Sequence, residues 1–293
     1  MRRVMMVGLL VLMPHGIAAA ADLGPVLRGG QYEEPPLFYR WSGVYGGGQI
    51  GFSIANVDFT NQVRTLVADE IRLLTIEQDQ RVSQWLVLPK KNPVGGSFGA
   101  FVGYNWQWED AVVGVEVNYN RTSLAGSSGS SIERTFFDSH GLPPGHNYFY
   151  DVLVAGAASV RITDFGTFRV RGGWAAGAFL PYAFLGVAVG RFDWSRTASV
   201  NGTATDQPSP APSPPPPATC ISNCPLPNLT ISEHQGDSRT GAFAYGGAVG
   251  LGVDVALLPN LFLRGEWELV QFAPAEHMHM RINTVRTALG LKF

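Results

Sequence analysis

Cysteine is almost missing from this chain. Cys220 and Cys224 are the only two in 293 residues, which excludes a disulfide-framework scaffold. Two thiolates without an adjacent histidine cannot close a tetrahedral zinc shell. Set four apart among prolines, they are expected to form a local loop disulfide that stiffens a loop tip rather than the fold. Charge is also scarce, at 15 % of residues against about 25 % in an ordinary soluble domain. The formal net charge of −2 supplies no field for nucleic acid. Beyond the N-terminal stretch no apolar run is long enough for a spanning helix. Catalytic spacing is absent as well. His140, His146, His234, His277 and His279 fall in or beside expected loops, and no Ser/His/acid arrangement stands out, so no enzyme is expected. Gly46-Gly47-Gly48 is no phosphate loop, because no strand-to-helix unit follows it. No cofactor is implied.

What is abundant is glycine, 35 residues, with 20 prolines and 11 % aromatics. The N-terminus has the three parts of a signal peptide: Arg2 and Arg3, the apolar Val4 to Met13, and small residues Ala18 to Ala21. Residues 1–21 are therefore expected to be removed, 22–40 to form a flexible leader with Pro25, Pro35 and Pro36, and 41–293 to form the folded domain.

From Trp41 onward the texture is period-two alternation. Eight stretches carry it: Val44–Ser53, Ser97–Trp108, Ala111–Thr122, Tyr150–Ala176, a fifth through Arg191 and toward Ser199, Ala242–Ala256, Leu261–Phe272 and Arg281–Phe293. One face of these strands is Val, Leu, Phe, Tyr and Trp. The other is small or polar and carries Glu116, Arg169, Arg171, Asp254, Arg264, Glu266, Glu268 and Arg286. A soluble sandwich could solvate that polar face. A closed barrel with lipid outside and polar side chains inside satisfies all the strands without an exposed edge. Long connections (Ile54–Gly96, Ser123–Phe149, Val200–Thr240) alternate with short ones (Glu109–Asp110, Gly177–Leu180, Leu258–Asn260), the rhythm of such barrels. The expected fold is thus all-β: an eight-stranded antiparallel transmembrane β-barrel with long extracellular loops.

Asp164-Phe165-Gly166 can be read as a turn, which would give nine strands, or as a bulge in one long strand; the bulge is preferred. In the first long connection Val63, Leu66, Val67, Ile71 and Leu74 have helical spacing. They predict a helix folded onto the barrel mouth, with a membrane-surface helix as the alternative. The 200–240 stretch, with Pro208, Pro210, Pro212 and Pro214 to Pro217, is expected to be extended. Outward Tyr104, Trp106, Trp108, Tyr119 and Trp174 are candidates for interfacial girdles. His277 and His279 share a strand face, but two ligands are too few for a copper or zinc site.

Trp41-Ser42-Gly43-Val44-Tyr45-Gly46-Gly47-Gly48 resembles the opening strand of the small outer-membrane β-barrel proteins of alphaproteobacteria, the RopB-like and opacity-like porin family. Gly103-Tyr104-Asn105-Trp106-Gln107, Gly114-Val115-Glu116, Phe165 to Gly173 with Leu180-Pro181-Tyr182, and Leu289-Gly290-Leu291-Lys292-Phe293 follow in order. The resemblance implies eight strands, contact with outer-membrane lipids and lipopolysaccharide, periplasmic chaperones on the way, and assembly by the insertion machinery. Leu289, Leu291 and the terminal Phe293 look like the signal that machinery reads. It also implies a role in envelope integrity or surface interaction, with no extracellular partner specified. An eight-stranded barrel has room inside only for side chains, so the inward acids and arginines are expected to form an ion-pair plug. The alternative is that they line a narrow diffusion path.

Overall fold

The computed structural model describes residues 39–207, 226–274 and 279–293. The expected signal peptide, most of the leader, Cys220, Cys224 and His277 lie outside the described residues. Alternating side chains produce eight strands: β1 Gly43–Asp58, β2 Val94–Trp108, β3 Ala111–Asp138, β4 Tyr148–Trp174, β5 Phe179–Asp206, β6 Leu229–Leu258, β7 Leu261–Phe272 and β8 His279–Lys292. Each pairs antiparallel with its neighbours, and β8 pairs back onto β1, closing the sheet. One ladder row runs from Gly46 through Val102, Val117, Phe168, Val187, Gly247, Gln271 and Arg281 and returns to β1 at Asn56. The stagger around the ring is therefore ten residues, which tilts the strands and sets the diameter.

The expected sign of the faces holds strand by strand. Ile50, Phe52, Phe98, Val117, Leu185 and Val285 point outward and are exposed, while Tyr45, Gln49, Glu116 and Arg169 point inward and are buried. Tyr39 and Arg40, expected in the leader, are already tied down. The Tyr39 ring packs 4.6 Å from that of Trp41 and its hydroxyl donates to the Leu258 carbonyl at 3.0 Å, while Lys292 Nζ donates to the Arg40 carbonyl. β4 is one continuous strand. Its bulge falls at Thr163, between the paired positions Ile162 and Asp164, so the Asp164–Gly166 turn is not formed.

Two connections expected to be long loops are largely strand. β3 continues to Asp138 and β5 to Asp206, while β4 and β6 begin at Tyr148 and Leu229. Together β3 to β6 project well past the ends of β1, β2, β7 and β8. The reason they escaped alternation is physical. Above the apolar band the outward positions need no lipid-facing side chain, so Ser127, Ser131, Ser195 and Ser232 stand where Val or Phe would mark a strand.

The first connection, 59–93, folds under this projecting sheet. It forms α1 Arg64–Glu70, α2 Thr75–Gln80 and a 3₁₀ turn Val82–Gln84. Helices this short are marginal alone. Their stability comes from burying Phe59, Val63, Leu66, Val67, Ile71 and Ile76 against Val152, Val154, Ile162 and Trp194, at about 1.5–3 kcal/mol per large apolar side chain. Gly156 on β4 marks the closest approach: a Cβ there would lie 2.9 Å from Leu86 and 3.0 Å from Val63.

The neighbouring connections meet at a buried carboxylate. Asp206 accepts from the N–H groups of Leu226 at 2.8 Å and Asn147 at 3.3 Å, and His146 Nδ1 lies 2.6 Å from it. Burial alone would raise this carboxyl, but the Leu226 N–H, the His146 ring and the Asn147 N–H hold it below the ordinary aspartate value.

Gly156→Leu should expose 59–93 to limited proteolysis while the barrel keeps its heat-modifiable gel mobility; protection equal to wild type would contradict the packing. The Asp206 clasp should be complete above the ordinary aspartate pKa of about 3.9 and be lost as pH falls through the lower folded value. Asp206→Asn should therefore speed hydrogen exchange over 139–150 at neutral pH, and the difference from wild type should vanish as pH falls through the lowered folded value and the wild-type carboxyl is itself protonated.

Candidate functional site: the charged interior of the barrel

The interior holds four carboxylates, Glu116, Asp254, Glu266 and Glu268, and four guanidinium groups, Arg169, Arg171, Arg264 and Arg286, all buried. Strand register sets three of the pairs directly opposite one another: Glu116 and Arg169 across β3–β4, Asp254 and Arg264 across β6–β7, Glu266 and Arg286 across β7–β8. These eight are the residues read from alternation, and the structure brings them into one connected set.

Arg169 is the centre. Its Nε and Nη2 donate to Glu116 Oε1, the former at 3.0 Å, while Nη1 and Nη2 donate to Glu266 at 2.7 and 2.9 Å. Arg264 forks onto Asp254 (2.8 and 3.1 Å) and reaches Glu116 Oε2 at 2.8 Å. Arg171 donates to Asp254 at 2.7 Å. Arg286 donates to Glu266 Oε1 through Nε at 2.7 Å and lies 3.0 Å from Glu268 Oε2. Bidentate guanidinium–carboxylate geometry of this kind is the strong form of the hydrogen bond. With equal numbers of each sign, no charge is left uncompensated.

Four aromatic partners completing the set were not named from sequence as members of it. Tyr45 and Tyr182 donate their hydroxyls to Glu116 at 2.8 Å and Glu266 at 2.6 Å. Arg171 lies over the Tyr182 ring at 3.7 Å, Arg169 over Phe184 at 4.1 Å and Arg264 over Phe101 at 4.3 Å, each a cation–π contact. All four share the inward parity of the charged residues, and that was the signal available. Phe184 can lie flat because its cross-strand partner is Gly250, where a Cβ would fall 2.4 Å from the ring.

Toward the tight turns the network is covered by Trp41, Tyr45, Phe101, Leu180 and Phe262. On the other side come Gln49, Asn118 and Asn120, joined at 2.8, 2.6 and 2.7 Å. Beyond them lie Phe165, Phe192, Phe272 and the packed first connection. The outer surface bears Trp106, Trp108, Trp174 and Phe293 exposed at the turn end. Tyr119 instead sits partway up β3, opposite Ala100 and Gly166. Leu289, Leu291 and Phe293 are exposed and outward, and the Phe293 N–H donates to the Val44 carbonyl at 2.8 Å. Among the described residues no group of three or more His, Cys, Asp or Glu gathers as a metal site; His279 pairs across from Asp58 on β1.

An apolar outside and a charged inside, closed without an edge, define a transmembrane β-barrel. The outer membrane protein beta-barrel domain family matches residues 35–293. The chain belongs to that family and resides in the bacterial outer membrane. Similar solved structures include Ail, the attachment invasion locus protein of Yersinia pestis, in complex with the heparin analogue sucrose octasulfate, at 13 % identity over 86 % of this chain and 99 % of that one, TM-score 0.31. Neisserial surface protein A is 12 % identical over 86 % and 98 %, TM-score 0.32. The translocator domain of the autotransporter NalP from Neisseria meningitidis is 9 % identical over 87 % and 90 %, TM-score 0.27. No curated protein sequence matches the chain.

Glu116→Gln leaves Arg169, Arg264 and Arg171 sharing one carboxylate fewer. It should destabilise the folded barrel by roughly 3–5 kcal/mol, the usual cost of breaking a buried pair from one side, measured by urea unfolding in lipid vesicles. An unchanged midpoint would show that the network contributes nothing to stability.

Proposed function

We propose that this chain is a non-enzymatic structural and surface-interaction protein of the outer membrane, closed to solutes by its interior ion pairs. The observation that carries the reading is the balance of four buried carboxylates and four buried guanidinium groups, held between an aromatic cluster at one end and an amide and apolar layer at the other. A water-filled path would solvate these groups separately. Here they are satisfied by one another, which is what a filled barrel requires.

The same proposal includes the processing and assembly steps. Residues 1–21 direct export and are removed. Periplasmic chaperones then deliver the chain, and the insertion machinery reads Leu289, Leu291 and Phe293. Cys220 and Cys224 pair within their own loop once the chain reaches an oxidising compartment. The projecting strands β3 to β6 face the outside, among lipopolysaccharide, and present the surface available to other molecules. The opening Trp41 to Gly48 motif and the terminal strand support kinship with the alphaproteobacterial RopB-like group.

Single-channel recording of the refolded mature chain in a planar bilayer tests the closure. Silence or rare flickering is expected. A steady, reproducible open state would replace this reading with a narrow diffusion pore lined by the same residues.

A further inference from the structure

The outward surface of β3, β4 and β5 changes character abruptly. Along β3 the exposed series Val113, Val117, Tyr119 ends at Arg121; along β5 the series Leu185, Val187, Val189 ends at Arg191. Between them on β4, Arg161 stands just past the bulge that follows Phe168 and Gly166. Register ties the three together. Arg121 and Arg191 both sit across from Asp164, and Arg161 sits across from Ala125 and Asp193. All three arginines are exposed. None makes a side-chain ion pair or hydrogen bond among the described residues, Asp164 and Asp193 included. Asp193 accepts instead from the Gly241 N–H at 2.7 Å. The four arginines of the buried network are each met by a carboxylate, whereas these three outward ones stand unpaired at the edge of the lipid-facing band.

The surroundings fit one kind of occupant. Below Arg121 an open groove of about 680 Å³ runs between Ile50, Phe52, Phe98 and Val285. It passes over Gly96, where an added Cβ would meet nothing within 4 Å. A slot walled by apolar side chains and topped by a guanidinium matches an acyl chain ending in an anionic head. Above the arginines the outward face turns hydroxyl-rich, with Ser127, Ser159, Ser195 and Thr197 lining a shallow hollow of about 220 Å³; Ser159 and Ser195 are themselves 2.8 Å apart.

We propose that this face is a binding site for a phosphorylated glycolipid, with acyl chains in the apolar groove, phosphates on Arg121, Arg161 and Arg191, and sugar hydroxyls against the Ser/Thr surface above. Guanidinium is the side chain best shaped for phosphate oxygens, and basic clusters beside a membrane surface select anionic head groups. The site rests on the outer-membrane placement of the barrel but not on its being closed. A conducting barrel would leave it standing, and its failure would leave the ion-pair plug standing.

The test is native mass spectrometry of the folded mature protein in neutral detergent. The added lipids are diphosphorylated lipid A, its dephosphorylated form, or phosphatidylglycerol. Wild type should retain the diphosphorylated glycolipid about tenfold better than either of the others, a ratio well within reach of a few charge-assisted contacts. The combined Arg121→Gln, Arg161→Gln, Arg191→Gln variant should lose that preference and the matching Lys variant should keep most of it. Equal retention of the dephosphorylated form by wild type, which needs no variant to fold, would overturn the proposal. So would equal retention of phosphatidylglycerol, or a preference that survives the three Gln substitutions.

Discussion

Burying a charge in a space without water is tolerable only when an opposite charge meets it with good geometry. Eight such groups share the interior of this barrel, and much of the architecture can be read as the means of bringing them together. The closed sheet holds inward side chains at a fixed radius, and the stagger of ten residues decides which rungs face one another across the ring. Arg169 can bridge β3 and β7 because the interior is narrow enough for one guanidinium to touch Glu116 and Glu266 at once. Glycines on the wall let rings lie flat beneath the arginines, so aromatic faces pack against the guanidinium groups.

The outside obeys the opposite rule. Within the apolar band every outward position must be acceptable to hydrocarbon, and beyond it none need be. This accounts for what could be read in the sequence. Alternation such as Val113, Val115, Val117 against Gly114, Glu116, Asn118 identified strands and their inward face wherever lipid was the neighbour. The eight interior charges were legible for the same reason, since each stands at inward parity within an apolar alternation. The upper halves of β3 and β6 were not. Residues 123–138 and 229–240 are mostly polar or small, with too few apolar residues (Leu124, Ile132, Phe136 and Ile231 among them) to sustain an alternation, and pairing with β4 and β5 makes them strand. Which acid meets which arginine depends on register around the whole ring, which no local pattern records. Tyr45 and Tyr182 were not assigned to the network because an inward tyrosine looks like filling until its hydroxyl is seen to reach a carboxylate.

The first connection illustrates a third regime. Its helices are too short to persist alone, and their apolar residues have no lipid to face. They are stable because the projecting sheet offers a second apolar surface, separate from the membrane band, and Gly156 leaves room for the approach. The helical spacing of Val63, Leu66, Val67 and Ile71 was visible in the sequence, whereas the further burial of Phe59, Ile76 and Leu88 depended on a sheet extension that was not.

The distribution of charge along the chain has a bearing on how such a barrel is built. Arg264, Glu266 and Glu268 lie on β7 and Arg286 on β8, adjacent strands whose register already sets Glu266 against Arg286. The four interior charges of the C-terminal hairpin therefore sum to zero on their own. The hairpin carries its counter-ions with it, so its transfer out of water drags no net interior charge into the bilayer. The excess positive charge of Arg171 on β4 and the lone Asp254 on β6 balance only across the fifth strand. Neutrality there is a property of the assembled wall, and the step that joins those strands is the one at which the electrostatic reward for closure is collected.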